Sequence, residues 1–185
     1  MTYFVIDIET VPLTQSASEE ERLEKLNPID SRIVAIGIRH DGVNKTWHGD
    51  EKEILTDAWK HWNSIAMNNR FIKIVGFNVA NFDLPFMTAR SFILGVQIVP
   101  FVLKNVIDIR DKINAYRYGP SRGKLKEFAE LLNLPVLDVD GGDVDALWQQ
   151  KDYETLVKYL ENDLEITDAM YQRLCELRIA DVQKW

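Results

Sequence analysis

The chain predicts an α/β fold: a mixed five-stranded sheet, with three antiparallel strands followed by parallel ones, flanked by helices. Three observations carry this expectation. β-rich stretches dominate residues 2–48 and are joined by short connections. Segments of helical periodicity then alternate with two more short apolar strands. The end of the chain reads as one long helix. Hairpin connections make strands antiparallel, and helical crossovers make them parallel.

The elements follow in order. Residues 2–9 alternate and read as the first strand. Residues 16–27 are charged and read as a short helix on a connecting loop. Residues 31–39 form a second strand and 43–48 a third, after the turn at Asp41-Gly42. Residues 51–68 set Ile54, Leu55, Ala58, Trp62 and Ile65 at helical spacing. A fourth strand is expected at 71–77. A helix follows at 81–94, with Pro85 tolerated in its first turn. Residues 106–109 read as the fifth strand, and helices are expected at 123–133, 143–150 and 152–179.

The bulk numbers bound the function. With 185 residues, 46% hydrophobic and 28% charged, the whole span 1–185 is expected to be a single domain with its own core. Cys175 stands alone, so no intramolecular disulfide can form, which suits a reducing cytoplasm. No apolar run is long enough to span a membrane, and the start Met1–Asp7 lacks the basic region of a signal peptide. A net charge of −7 argues against tight, nonspecific coating of a duplex. It leaves room for an enzyme that gathers carboxylates around cations, since bound metal reverses the local field.

Three short stretches carry candidate chemistry. On the first strand, alternation puts Tyr3, Val5, Asp7 and Glu9 on one face, against Phe4, Ile6 and Ile8 on the other. Adjacent carboxylates on an apolar strand either bind a cation or sit exposed at the strand's end. On the last helix, the stripe Leu156, Leu160, Thr167, Met170, Tyr171 and Leu174 predicts a further buried position at Asp163, with Tyr159 one turn earlier. A buried Asp there binds metal, pairs with an Arg or caps backbone. Asp83 falls at the start of a helix, where the dipole alone favours an acid, and Asn78 or Asn81 can serve as cap or turn residues.

Taken together, Asp7-x-Glu9, Asn78-x-x-x-Phe82-Asp83 and Tyr159-x-x-x-Asp163 resemble the three exonuclease motifs of the DEDD (DnaQ-like) superfamily of 3′-5′ exonucleases. The element order likewise resembles the ribonuclease-H-like fold. Tyr159 stands four residues before Asp163, and Lys158 stands where a histidine would mark the other subtype, so the chain resembles the tyrosine subtype. The run Phe-Val-Ile-Asp-Ile-Glu-Thr-Val-Pro is most similar to the exonuclease domains of B-family DNA polymerases and their stand-alone relatives. The length leaves no room for a polymerase domain.

Four carboxylates without a Cys/His cluster suit hard cations, Mg2+ or Mn2+. The resemblance implies two such ions: Asp7 bridging both, Glu9 and Asp163 completing the site that generates the nucleophile, and Asp83 serving the second metal. It implies that Tyr159 orients the attacking water and that Thr10 and Asn78 contact substrate or strand end. The implied reaction is hydrolysis of single-stranded DNA or RNA from a free 3′ end to nucleoside 5′-monophosphates.

Residues 110–126 read as a loop rich in Arg110, Lys112, Arg117, Arg122, Lys124 and Lys126 with Tyr116 and Tyr118 interleaved. Such a mixture suits single-stranded nucleic acid, with Tyr116, Arg117, Arg122 and Lys124 as contacts, or forms a solvated basic loop. Asp138, Asp140, Asp143 and Asp145 lack the spacing of a calcium loop and read as a solvated loop and helix cap. Two other functions remain open at this level: a catalytically silent ribonuclease-H-like module that binds nucleic acid or protein, and an endonuclease on the same fold. Protein partners are not legible.

Overall fold

A computed structural model describes residues 2–16, 18–67, 71–117 and 123–183. Five strands form one sheet in the order β3-β2-β1-β4-β5: β1 (Tyr3–Pro12), β2 (Ser31–His40), β3 (Val43–His48), β4 (Lys73–Gly76) and β5 (Val106–Asp108). β1–β2 and β2–β3 are antiparallel, while β1–β4 and β4–β5 are parallel. This is the expected ribonuclease-H-like arrangement.

Helices α1 (Glu19–Glu24), α2 (Glu51–Ala66), α3 (Asp83–Leu94), α4 (Ile109–Ile113), α5 (Leu125–Leu131), α6 (Val144–Gln150) and α7 (Tyr153–Glu176) cover the sheet. Among the described residues, no helix is long and apolar enough to cross a membrane.

The two faces of β1 meet different helices, as its alternation requires. Phe4, Ile6 and Ile8 join Trp59 and Trp62 of α2 and Leu84, Phe86 and Met87 of α3 in the larger core. Val5 joins Leu164, Ile166 and Met170 of α7 in a second core. Asp7 and Glu9 share the Val5 face and therefore look toward α7. Their antiparallel neighbours on β2 are Gly37 and Ala35, both small. A Cβ on Gly37 would lie 2.7 Å from Leu164 Cδ1, so glycine there lets α7 lie close over the acids.

The structure departs from the expected elements in four places. The fifth strand ends at Asp108, because that residue caps α4 and Ile109 is already helical. Residues 109–113 are thus a helix and not part of a basic loop. Lys112 is buried in it and donates from Nζ to the carbonyls of Ala180 and Val182, tying down the chain's end. The helix after β4 starts at Asp83, with Phe82 and not Asn81 at its N-cap. On α7 the fully buried position is Leu164, and Asp163 beside it is only partly buried, because it lies at the edge of a cleft where the core ends.

Candidate active site

β1 delivers two acids by strand alternation, and α7 brings a third across them. Carboxylate oxygens of Asp7, Glu9 and Asp163 all lie within 4.8 Å of one another. Glu9 is buried and the other two are partly buried.

Asp83 arrives from a different direction. β4 pairs with β1 only as far as Val5, which leaves the edge of β1 beyond it without a strand neighbour. Asp83, at the first turn of α3 and buried, fills that gap, and its Oδ1 accepts the Ile8 N–H at 3.1 Å. Its carboxyl lies close enough to that of Asp7 for each to act on the other's protonation.

The electrostatics follow from four acids in one place. Burial, then the charges of Asp83, Glu9 and Asp163, holds Asp7 well above the usual carboxylate range. Burial, then Asp163 and Asp83, does the same to Glu9. Burial lifts Asp83 to about 7 against the opposing backbone hydrogen bonds. Burial lifts Asp163 to about 6, opposed by a hydrogen bond from Tyr159 and by the charge of Lys126. Among the described residues no Lys or Arg forms a salt bridge with any of the four, the charge of Lys126 acting on Asp163 without pairing to it. Like charges gathered without a counterion are costly, and a divalent cation with oxygen ligands is the group that removes the cost. The donor set fits Mg2+ or Mn2+ and offers nothing soft.

Tyr159 lies one turn before Asp163. Burial first, and then the charges of Glu9, Asp163 and Asp7, pushes its hydroxyl far above the ordinary phenol value, so it stays protonated.

A cleft of about 670 Å³ opens over Glu9, Asp163 and Tyr159. Thr10 and Lys124, both read as substrate contacts from the sequence, line it, as do Lys126 and Arg22. Arg22 pairs with Glu19 at 2.6 Å and touches the Gly141 carbonyl at 3.5 Å, joining α1 to the loop before α6.

The other expected contacts fall elsewhere. Asn78 is not among the residues lining the cleft. It sits in the turn after β4 with φ +64, and its N–H is bound by Asp108. Tyr116 is partly buried with Lys112 over its ring, and Arg117 is exposed just beyond; neither lines the cleft. Arg122 and Tyr118 lie outside the described residues.

Two acids with structural roles escaped the sequence reading. Asp168 on α7 is buried and accepts from Tyr3 Oη at 2.5 Å and Arg39 Nε at 2.8 Å. Gln172 Nε2, one turn later, adds a third bond at 3.3 Å, but the two shorter ones come from partners more than a hundred residues away, which no local pattern marks. Asp108 receives four backbone N–H groups. An Asp directly before a short helical segment was the available signal.

Comparison with known proteins bears on the family and the fold. A family described as a predicted 3′-5′ exonuclease related to the exonuclease domain of PolB matches the chain over residues 30–118 and 101–182. An uncharacterized protein of Methanocaldococcus jannaschii is 28% identical over 196 residues, covering 95% of this chain and 97% of that protein. The family B DNA polymerase of the hyperthermophilic archaeon Pyrobaculum calidifontis is similar in fold, with a TM-score of 0.73 at 17% identity over 96% of this chain. The match spans 25% of the polymerase's length.

Proposed function

Because the chain belongs to the family of predicted 3′-5′ exonucleases related to the exonuclease domain of PolB, we propose that it hydrolyses single-stranded DNA or RNA from a free 3′ end, releasing nucleoside 5′-monophosphates. In this reading residues 1–185 act as one catalytic domain of the tyrosine subtype, with Asp7, Glu9, Asp83 and Asp163 holding two divalent ions, Mg2+ or Mn2+. The observation that supports it most is the convergence of three carboxylates from β1 and α7 within 4.8 Å, with the buried Asp83 close beside Asp7.

When bound, such ions supply Lewis-acid activation of water and neutralise charge on the phosphodiester. The chain's own residues do the rest. Tyr159 keeps its proton, so its hydroxyl orients the attacking water by hydrogen bonding and does not act as the base. Lys124 and Lys126 on the cleft wall hold substrate phosphates, and Thr10 meets the terminal nucleotide.

The test is degradation of matched DNA and RNA strands labelled at the 5′ end, with each metal, beside a circular single strand. Stepwise shortening from the 3′ end is expected with Mg2+ or Mn2+, with loss of activity in EDTA and an intact circle. Failure to shorten either linear strand with either ion would overturn the proposal. Cleavage of the circle would turn the reading toward an endonuclease.

A further inference from the structure

Asp108 ends β5 and caps α4, and its carboxylate does more than a cap requires. Oδ1 accepts Arg110 N at 3.0 Å and Asp111 N at 3.3 Å, the ordinary bonds of an N-cap. The same buried carboxylate also takes Asn78 N at 3.0 Å and Ala80 N at 3.0 Å, from the turn that follows β4. That turn leads directly into Asp83. The Asn78 carbonyl accepts Asn81 N at 3.1 Å and Phe82 N at 3.0 Å, and the Val79 carbonyl accepts Leu84 N at 3.1 Å. Phe82 at the N-cap of α3 offers no side-chain bond, so α3 has no cap of its own. The turn is also pressed against the sheet: a Cβ on Gly76 would lie 2.6 Å from Val79 Cβ and 3.0 Å from the Ile8-side strand's Ile6 carbonyl. Hydrogen bonds therefore lead from the Asp108 carboxylate through the turn to Phe82 and Leu84, the residues on either side of Asp83.

We propose that Asp108 is a positioning residue for Asp83: by gripping the Asn78–Ala80 turn it fixes where the Asp83 carboxylate meets the other three acids. Its consequence for catalysis rests on the exonuclease reading; the positioning itself does not. Among the described residues Asp108 makes no hydrogen bond to the four acids, although its charge is near enough to raise Asp83. It acts through the turn, where a displacement of about 1 Å is enough to cost a hundredfold in rate.

The Ile8 amide is the reporter, because it donates to Asp83 and belongs to a different strand from Asp108. Asp108→Asn keeps one acceptor oxygen and sets an NH2 group against the remaining donors, while Asp108→Ala removes every acceptor. In the metal-free Asn variant, the Ile8 amide is expected to exchange with solvent about tenfold faster, with the Ala80 amide, while the Val5 amide does not change. The Mn2+ dissociation constant is expected to rise about tenfold, and kcat to fall with little change in KM. Ile54→Val, a core change on α2 that lowers the melting temperature without touching the turn or the strand pairing of Ile8, is expected to leave all of these within about twofold. The proposal is overturned if Ile8 exchange in Asp108→Asn matches wild type, or if Mn2+ affinity falls no further than in Ile54→Val. Should wild type neither bind Mn2+ nor degrade nucleic acid, the exonuclease reading fails and Ile8 exchange alone decides the positioning role. If Asp108→Ala does not fold, the Asn variant carries the test.

Discussion

Two buried glutamates on opposite sides of the sheet show how differently the same side chain can be treated. Glu51 of α2 is 9% exposed and Glu9 of β1 is 8% exposed. Glu51 is fully matched: Arg90 of α3 grips it through two bonds at 2.8 and 2.6 Å, and Ile33 N–H adds a third at 2.8 Å. Arg90 also reaches the Pro28 carbonyl at 3.0 Å, so the pair fastens the segment before β2 to both helices. Glu9 has other acids for company. Burial is thus equal in the two places, and only the sign of the neighbours differs. The Glu51 pair is complete within the chain. The Glu9 cluster has no such salt bridge among the described residues, and the proposed function is placed there for that reason.

This contrast can be broken by experiment. The largest effect is expected at the acidic cluster on activity: Asp163→Ala should cost about a thousandfold or more in nuclease rate, since it removes several kcal/mol of metal-held transition-state stabilisation. Its folding stability should hold or rise, read by urea denaturation. The mirror image is Arg90→Ala, which strands Glu51 and should cost about 3–5 kcal/mol of stability by the same measurement. Activity at a temperature where that variant is folded should persist. If Arg90→Ala abolished activity without loss of stability, the division between the two faces would be wrong.

Tyr159→Phe should reduce kcat by about ten- to a hundredfold, with metal binding retained, as expected of a residue that orients water. A full-activity phenylalanine variant would remove Tyr159 from the mechanism.

The smallest effect concerns pH. Asp83 and Asp163 have folded pKa values raised to about 7 and about 6. Raised carboxylates stabilise the fold below their unfolded values and lose that contribution as pH climbs through the folded ones. The metal-free protein should therefore melt at progressively lower temperature from pH 5 to pH 8. Saturating Mn2+ should reverse the trend, because ions bind the deprotonated acids; about 2.7 kcal/mol is expected at a hundred times the dissociation constant. A metal-free melting temperature that rises over this range would contradict the crowding of like charges.

How much of this was legible in the sequence depends on the range of the interaction involved. Asp7 and Glu9 were readable because strand alternation is local, and the same alternation named the opposite face of Phe4, Ile6 and Ile8 correctly. Tyr159 and Asp163 were readable from helical spacing, although the core stripe passes through Leu164 and leaves Asp163 at the cleft's edge. Asp83 was readable only through its motif, for its role depends on where β4 stops pairing. The first residues of the basic stretch, 110–113, were misread as loop for a physical reason. Charge pattern shows that Lys112 is cationic but cannot show that carbonyls about seventy residues later accept from it. Arg22 was missed on the same grounds, since it belongs to the cleft only because α1 folds back toward Gly141.

Gly37 has a consequence beyond its own strand. It bears no functional group, yet it lies opposite Asp7 and beneath Leu160 and Leu164, where a methyl would already displace Leu164 Cδ1 and crowd Leu160 Cγ at 3.1 Å. The spacing between acids on β1 and α7 is consequently gauged by a hydrogen atom on a third element. A ruler made of absence wears by degrees: the yielding tip of Leu164 absorbs a small replacement, while a bulky one pushes on the jaws with every chemical group still in place.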